Sequence, residues 1–128
     1  MCLLGAAGFL FPQLTGCAST QGVYKTEVLN KKISIPVSIF DKSAVQLVRP
    51  NGWYYDIAVQ KIENNNYSAI LLQCTHQENQ LDRNGNGFTC SLHGSQFDLT
   101  GKVTKGPATK SLEKYETSIS NDQLIIHL

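Results

Sequence analysis

The chain has 128 residues, of which 41% are hydrophobic and 16% are charged, and its formal net charge is +1. This length suits one domain with a real hydrophobic core and leaves no room for a second full domain. The near-neutral charge excludes the basic surface on which nucleic-acid binding depends, and the hydrophobic fraction argues against disorder. The even number of four cysteines first suggests two disulfides in an exported protein.

The N-terminal segment has the pattern of an export signal. Residues 3–14 are almost entirely apolar and uncharged, but they are too short to cross a bilayer as a helix. They lead into the sequence LTGC, which ends at Cys17 and resembles a bacterial lipobox, whose cysteine receives a diacylglycerol. We therefore predict a signal peptide over residues 1–16, a lipid on Cys17 and a tether over residues 17–21. A buried core helix or strand is the alternative interpretation.

One part of a signal peptide is missing. No Lys or Arg precedes the apolar stretch, and a signal without such a positive region should insert poorly. We therefore expect the true translation start to lie upstream of Met1. The genomic codons before Met1 would test this expectation.

Beyond this segment the chain reads as short β-branched, aliphatic and aromatic runs separated by turn residues. No window of eleven residues shows convincing helical periodicity. Strands recurring roughly every 8–12 residues are typical of an antiparallel sandwich or small barrel. We therefore predict an all-β fold with strands at residues 23–29, 33–40, 44–48, 53–62, 67–73, 88–90, 97–103 (with a turn at Thr100 and Gly101), 114–118 and 124–128.

Two short segments carry side chains that bind metals. Cys74 and His76 stand in a CTH sequence, and Cys90 and His93 begin and end a CSLH sequence. Two thiolates and two imidazoles suit a zinc ion, or a two-iron two-sulfur cluster in which two histidines replace two cysteines on one iron. Buried cysteines with unrelated surface histidines are the ordinary alternative, but two such pairs on two turn-rich loops rarely coincide by chance.

These motifs resemble those of the Rieske iron–sulfur family, which are CTH and CxxHGS. The second motif is intact because Gly94 and Ser95 follow His93, and the segments at residues 96–98 and 106–108 also resemble the family. The resemblance covers about residues 22–128. It implies an antiparallel β base domain with an inserted cluster-binding subdomain, whose cluster loops lie at residues 74–79 and 90–97 and whose proline loop lies near residues 106–108.

The resemblance also implies roles for single residues. Cys74 and Cys90 would bind one iron as thiolates, and His76 and His93 would bind the other through imidazole nitrogens. Since neutral histidines lower the negative charge of the cluster, it accepts an electron at a higher potential than all-cysteine plant-type ferredoxins do. The Ser95 hydroxyl would donate to a cluster sulfide. The residues implied to surround the cluster are Gly94, Ser95, Phe97, Gly106 and Pro107.

The chain also departs from the high-potential members of that family, which belong to quinol-oxidising complexes. Those members have a further cysteine in each loop, and the two form a disulfide; Glu78, Asn79 and Leu92 occupy the corresponding regions here. They also have a tyrosine where Phe97 stands. We therefore expect no loop disulfide, and a potential between the respiratory type and the ferredoxin type. With Cys17 carrying a lipid, no cysteine of the mature chain remains for a disulfide.

A second pattern points to calcium. Residues 82–87 match D-x-N-x-N-G, the first half of a calcium-binding loop. The glutamate expected at the twelfth position is His93, and no flanking helices can be read from the sequence. These departures favour a polar turn.

The sequence therefore predicts a one-electron carrier with one Rieske 2Fe–2S cluster, and not an enzyme by itself. The lipid on Cys17 would hold it on the outer side of a bacterial membrane, as a component of an oxidoreductase chain. The expected partner is a redox protein, namely a cytochrome, a quinol-oxidising complex or a catalytic subunit, with Gln77 and Leu92 as docking contacts. The alternatives are a Rieske ferredoxin that supplies an oxygenase, and a structural zinc domain.

Overall fold

The computed structural model describes residues 22–128, so the predicted signal peptide, Cys17 and the tether lie outside the described residues. Over the described range the all-β prediction is confirmed, and no helix is long and apolar enough to cross a membrane. The only helix in this range is a 3-10 helix at Val37–Phe40. The strands are β1 (Val23–Thr26), β2 (Lys32–Pro36), β3 (Val45–Pro50), β4 (Ile57–Ile62), β5 (Asn66–Leu71), β6 (Asp82–Asn84), β7 (Gly87–Thr89), β8 (Gln96–Asp98), β9 (Val103–Lys105), β10 (Lys114–Ser120) and β11 (Gln123–His127).

The strands form two sheets. Seven strands lie in the order β1-β3-β4-β5-β10-β11-β2, and the first and last of them come into contact, so this sheet nearly closes into a barrel. The other four form the sheet β6-β7-β8-β9, which is inserted between β5 and β10. The strand pairs are antiparallel except for β1, which runs parallel to β3. The expected base domain with an inserted subdomain is therefore present, with one parallel pair.

The β4–β5 hairpin joins the barrel to the inserted sheet because the first half of β4 and the second half of β5 are buried on both faces. Successive residues of a strand point to opposite faces, so a strand buried on both sides needs a nearly continuous apolar run. One face packs in the barrel core through Ile57, Val59, Ala69 and Leu71, and the other packs toward the inserted sheet through Ala58 and Ile70. The chain leaves β5 through the buried Leu72 and reaches Cys74 two residues later.

Several predicted strands are shorter in the structure. The strand predicted over residues 23–29 ends at Thr26, and the one predicted over residues 97–103 is divided by its turn into β8 and the start of β9. The strand predicted over residues 33–40 ends at Pro36, because Val37–Phe40 turn into the 3-10 helix and bury the Phe40 ring against Tyr67, with ring centroids 5.0 Å apart. The strand predicted over residues 53–62 begins only at Ile57. The preceding residues form a turn in which the Trp53 N–H donates to the Pro50 carbonyl oxygen at 3.0 Å.

Residues 82–87, which match half of a calcium loop, begin a hairpin between β6 and β7. The Asn84 side chain makes two contacts within this hairpin. Its amide nitrogen contacts the Thr89 hydroxyl, and its Oδ1 accepts a hydrogen bond from the Asn86 N–H at 3.3 Å. The polar-turn interpretation is confirmed. β6 has no strand signature in the sequence, because its three residues are polar and exposed.

Gly87 lies opposite Asp98 in the β7–β8 pair, at a close approach of the two backbones. A Cβ atom on Gly87 would lie 2.0 Å from the Phe97 carbonyl oxygen, far inside van der Waals contact. Because glycine lacks a Cβ atom, β7 and β8 can pair at this position. The next residues, Phe88 and Phe97, lie directly opposite each other on the two strands and are 1% and 2% exposed. Both phenylalanines pack in the apolar core that also contains the two cysteines Cys74 and Cys90.

Asp98 organises the turn between β8 and β9. Its Oδ1 accepts hydrogen bonds from the Thr100 hydroxyl at 2.6 Å, the Thr100 N–H at 2.8 Å and the Lys102 N–H at 3.0 Å. The Thr100 hydroxyl, helped by these N–H groups, holds the pKa of Asp98 below its ordinary value, although partial burial opposes the shift. The carboxylate therefore stabilises the turn at neutral pH, and this contribution is lost as the pH falls through the lowered pKa.

Candidate metal centre

The four candidate metal ligands lie in two similar loops. The first loop, residues 74–79, follows β5, and the second, residues 90–95, joins β7 to β8. In both loops the cysteine N–H donates to the carbonyl oxygen five residues later: Cys74 to Asn79 at 2.9 Å, and Cys90 to Ser95 at 2.8 Å. Each loop thus holds one thiol and one imidazole within a single tight turn.

The four side chains form a buried pair and an exposed pair. Cys74 and Cys90 are 3% and 1% exposed, and the Cys74 side chain is one of the groups that hold the pKa of Cys90 below its ordinary value. His76 and His93 are both exposed, with ring centroids 5.1 Å apart and ring planes at 87°. Each loop therefore contributes one member to the thiol pair and one member to the imidazole pair.

This separation into pairs differs from the arrangement that a single metal ion needs. Among residues 22–128, no group of three or more His, Cys, Asp or Glu side chains surrounds one metal-ion position. A structural zinc ion needs four donors at about 2.0–2.3 Å. Two irons that share bridging sulfides need only two protein donors each. The buried thiol pair and the exposed imidazole pair therefore match the two donors that each iron of such a cluster needs.

Hydrogen-bond donors converge on the Cys90 thiol. Burial raises its pKa, but four donors outweigh this effect and hold the pKa of Cys90 below its ordinary value. These donors are the Leu92 N–H, the Cys74 thiol, the Asn79 amide and the His93 N–H. The thiolate is the form of cysteine that binds a metal, so these contacts favour the state that an iron ligand requires.

Gly94 allows the second loop to turn back toward β8. Its φ is +78°, in the left-handed region that favours glycine, and its N–H donates to the Cys90 carbonyl oxygen at 3.0 Å. A Cβ atom at this position would meet nothing within 4 Å. The backbone conformation, and not a lack of space, is therefore the reason for glycine.

A third segment is hydrogen-bonded to both loops. It contains Gly106 and Pro107, which are exposed and joined by a cis peptide bond. The next residue, Ala108, donates its N–H to the Oγ atom of the fully buried Ser95 at 3.0 Å. On the first loop, the Thr75 hydroxyl donates to the Lys110 carbonyl oxygen at 2.7 Å. Ser95 thus accepts a hydrogen bond from this segment and keeps its own O–H as a donor.

An ion pair between the buried Asp56 and the partly exposed Arg49 supports the base of the first loop. Asp56 is 5% exposed, and its Oδ1 accepts from the Arg49 Nε at 2.6 Å. The Asp56 N–H in turn donates to the side-chain oxygen of Gln80 at 2.9 Å, directly after the loop. Gln80 also pairs with Gln73, directly before the loop. No local sequence pattern predicts this support, because its residues lie far apart along the chain.

The structure also shows the position of Phe97 and the state of the two cysteines. Phe97 lies on β8 in the core behind the loops, and within the described part of the chain neither Cys74 nor Cys90 is in a disulfide. A small β barrel with an inserted sheet that presents two thiols and two imidazoles defines a class of protein, the small β domains that hold a metal centre.

Comparisons with known proteins identify the family. The model of the Rieske [2Fe-2S] domain matches residues 22–116. The cytochrome b6-f complex iron-sulfur subunit 1 of Trichormus variabilis is 32% identical over 130 residues, which cover 97% of this chain and 72% of that protein. The cytochrome b6-f complex iron-sulfur subunit of Synechococcus sp. (strain WH7803) is 44% identical over 88 residues, which cover 67% of this chain and 48% of that protein.

Solved structures show the same fold. The plasma membrane Rieske protein from Synechocystis PCC 6803 has a TM-score of 0.60 and 26% identity, with 73% of this chain and 95% of that one covered. The ferredoxin of carbazole 1,9a-dioxygenase from Nocardioides aromaticivorans IC177 has a TM-score of 0.52, with 73% and 92% covered. Its identity of 18% supports a likeness of fold alone.

The chain therefore belongs to the Rieske [2Fe-2S] domain family. It binds a 2Fe–2S cluster and acts as an electron carrier in an electron-transfer chain, which confirms the predicted cofactor and function.

Proposed function

We propose that Cys74 and Cys90 hold one iron of the cluster as thiolates, and that His76 and His93 hold the other through imidazole nitrogens. One observation carries this assignment: each loop gives one side chain to the buried thiol pair and one to the exposed imidazole pair. The residues proposed to surround the cluster are Gly94, Ser95, Phe97, Gly106 and Pro107.

When bound, the cluster supplies one-electron redox chemistry. The thiol pair lies in the apolar core, where Cys74 and Cys90 are shielded from water and thiol exchange. The imidazole pair lies at the surface, so His76 and His93 provide the shortest route for an electron between the protein interior and a partner. Since each imidazole replaces a negatively charged thiolate, the two histidines also raise the potential.

An anaerobic preparation of the full chain tests this proposal. After reduction, we expect the low-average-g electron paramagnetic resonance (EPR) signal that is characteristic of a Rieske centre, with two irons per chain. A colourless protein that contains zinc and gives no such signal would instead support the structural zinc alternative.

We further propose that the carrier is attached to the outer side of a bacterial membrane through a lipid on Cys17 and works with a membrane-bound redox complex. The lipobox-like sequence that ends at Cys17 supports the anchor. Two similar proteins, a cytochrome b6-f complex subunit and a plasma membrane Rieske protein, support the location and the kind of partner.

Replacing the predicted lipid acceptor tests the anchor. We expect the native protein to label with palmitate in cells and to sediment with membranes. Cys17→Ser should lose the label and move to the soluble fraction, because a serine hydroxyl cannot form the thioether. An unlabelled native protein in the cytoplasm would overturn the anchor and favour a ferredoxin that supplies an oxygenase.

The exposed imidazole pair is proposed as the centre of the docking surface. Leu92, 53% exposed, precedes His93, and the exposed Gln77 follows His76. A cleft of ≈ 410 Å³ opens beside His76 and is also lined by Lys110 and Glu113, so charged groups border this site. An exposed leucine beside an exposed ligand is a natural apolar contact for a partner.

Truncating that leucine should slow electron transfer to the partner. We expect Leu92→Ala to reduce the bimolecular rate to the cognate cytochrome complex about tenfold, since burying a leucine side chain contributes about 1.5–3 kcal/mol. Leu29→Ala is the matched control, because Leu29 is a 69% exposed leucine just before β2 of the barrel. Stopped-flow kinetics measure both rates, and equal rates for the two variants would remove Leu92 from the docking surface.

A further inference from the structure

The Asn79 side chain bridges the two cluster loops. Asn79 is the last residue of the first loop, and its backbone oxygen accepts the Cys74 N–H at 2.9 Å. Its side-chain nitrogen Nδ2 lies 3.7 Å from the Cys90 Sγ and 3.5 Å from the Ser91 Oγ, both in the second loop. The same residue therefore closes one loop through its backbone and contacts the other through its amide.

The orientation of this amide follows from its surroundings. Nδ2 also donates to the Gln80 carbonyl oxygen at 3.1 Å. A flipped amide would place its oxygen against that carbonyl oxygen, and two acceptors facing each other repel. The nitrogen is therefore the atom that faces Gln80, and hence the atom that faces the Cys90 sulfur.

A donor at this position acts differently on the two redox states. A thiolate sulfur accepts a hydrogen bond more strongly than a thiol does, because it carries charge. Adding an electron increases the negative charge that the cysteine sulfurs share, so the bond strengthens on reduction. Asn79 is half-buried, which limits competition from water for the same sulfur.

We propose that Asn79 is a positioning residue for the cluster, whose amide raises the reduction potential through the Cys90 sulfur and joins the two loops where no disulfide does. The described cysteines, Cys74 and Cys90, are both free, so the loops are held together by contacts such as this one. This inference rests on the proposed role of Cys90 as an iron ligand.

The test compares the midpoint potentials of three cluster-loaded proteins by film voltammetry at one pH. Asn79→Leu keeps a similar side-chain volume and removes the hydrogen-bond donor. At the midpoint potential of the native protein, the ratio of oxidised to reduced cluster in this variant should be about threefold higher than in the native protein. That ratio corresponds to a potential about 28 mV lower, from 59 mV per tenfold change for one electron. Asn86→Leu makes the same change in the β6–β7 turn and should leave the potential at the native value.

A vibrational measurement separates a bond to sulfur from a general loosening of the loops. The iron–cysteine stretching frequencies in resonance Raman spectra should rise in Asn79→Leu, because a hydrogen bond to the cysteine sulfur weakens its bond to iron. If Asn79→Leu fails to load a cluster, Asn79→Asp keeps the shape and exchanges the donor for an acceptor, so its potential should be lower than the native value.

The outcomes are distinct. A lower potential with a raised stretching frequency supports the inference, and an unchanged potential in the loaded Asn79 variants overturns it. If neither Asn79 variant assembles a cluster while Asn86→Leu does, the role in joining the loops is supported and the role in tuning the potential is withdrawn. A native protein without a Rieske EPR signal would refute the proposed function itself, before any variant is compared.

Discussion

His93→Ala should abolish the Rieske centre. The His93 imidazole is half of the exposed pair, and no other described histidine lies close enough to replace it, because His127 is on β11 of the barrel. Mutation of a residue that only supports a metal ligand already lowers metal affinity about 10–100-fold. Loss of a ligand itself should therefore leave less than about one tenth of the native iron content. Iron analysis and the EPR signal of the reduced protein measure the effect.

The third histidine provides the control. His127 is hydrogen-bonded to the Ser118 hydroxyl at 2.9 Å, within the β10–β11 pair. We expect His127→Ala to keep the native iron content and EPR signal. Cys90→Ser should fail like His93→Ala, although the backbone bonds of its loop can still form. A native EPR signal in His93→Ala would show that the proposed ligand set is wrong.

Gly87→Ala should strongly destabilise the inserted sheet. The new methyl group would lie 2.0 Å from the Phe97 carbonyl oxygen, which is backbone and cannot rotate away. The β7–β8 pair would have to separate, and the packing of Phe88 against Phe97 would be lost with it. Overpacking lowers the free energy of unfolding by about 1–3 kcal/mol. Because the clashing atom here belongs to the backbone and cannot rotate away, we expect a loss of about 3 kcal/mol. Urea unfolding of the cluster-loaded protein measures the loss.

Gly85→Ala is the matched control two residues away. A Cβ atom on Gly85 meets nothing within 4 Å, and Gly85 is not among the glycines with positive φ. We expect its unfolding free energy to stay within about 0.5 kcal/mol of the native value, as for most surface substitutions. Equal stabilities of the two variants would mean that β7 can move away from β8 at little cost.

The fold class was predictable because strands have a local signature. Alternating β-branched and aromatic residues between turn residues indicated most of the barrel strands, and their approximate positions were correct. The errors lie where distant contacts decide the structure. Residues 37–40 have a strand-like composition, but they form a 3-10 helix because Phe40 packs on Tyr67. The polar residues of β6 form a strand because β7 lies beside them.

The candidate site was predictable in its chemistry and less so in its surroundings. The CTH and CSLHGS motifs are local, and they indicated two thiols and two imidazoles on two tight turns. The contacts that support them cross between segments. They are hydrogen bonds from the Ala108 N–H to the Ser95 hydroxyl oxygen, from the Thr75 hydroxyl to the Lys110 carbonyl oxygen, and from the Asp56 N–H to the Gln80 side-chain oxygen. No spacing in the sequence predicts such pairs.

The sequence by itself determined the β class, the four metal-binding side chains and the absence of cysteines for a loop disulfide. Each of these depends on residue identity and near neighbours, since a strand's alternation and a tight turn are set within a few residues. The tertiary structure alone decided that the thiols form a buried pair and the imidazoles an exposed pair. It also decided that the Asn79 amide faces the Cys90 sulfur. These arrangements depend on how β5 and β7 deliver their loops to one place, which follows from packing between segments distant in sequence.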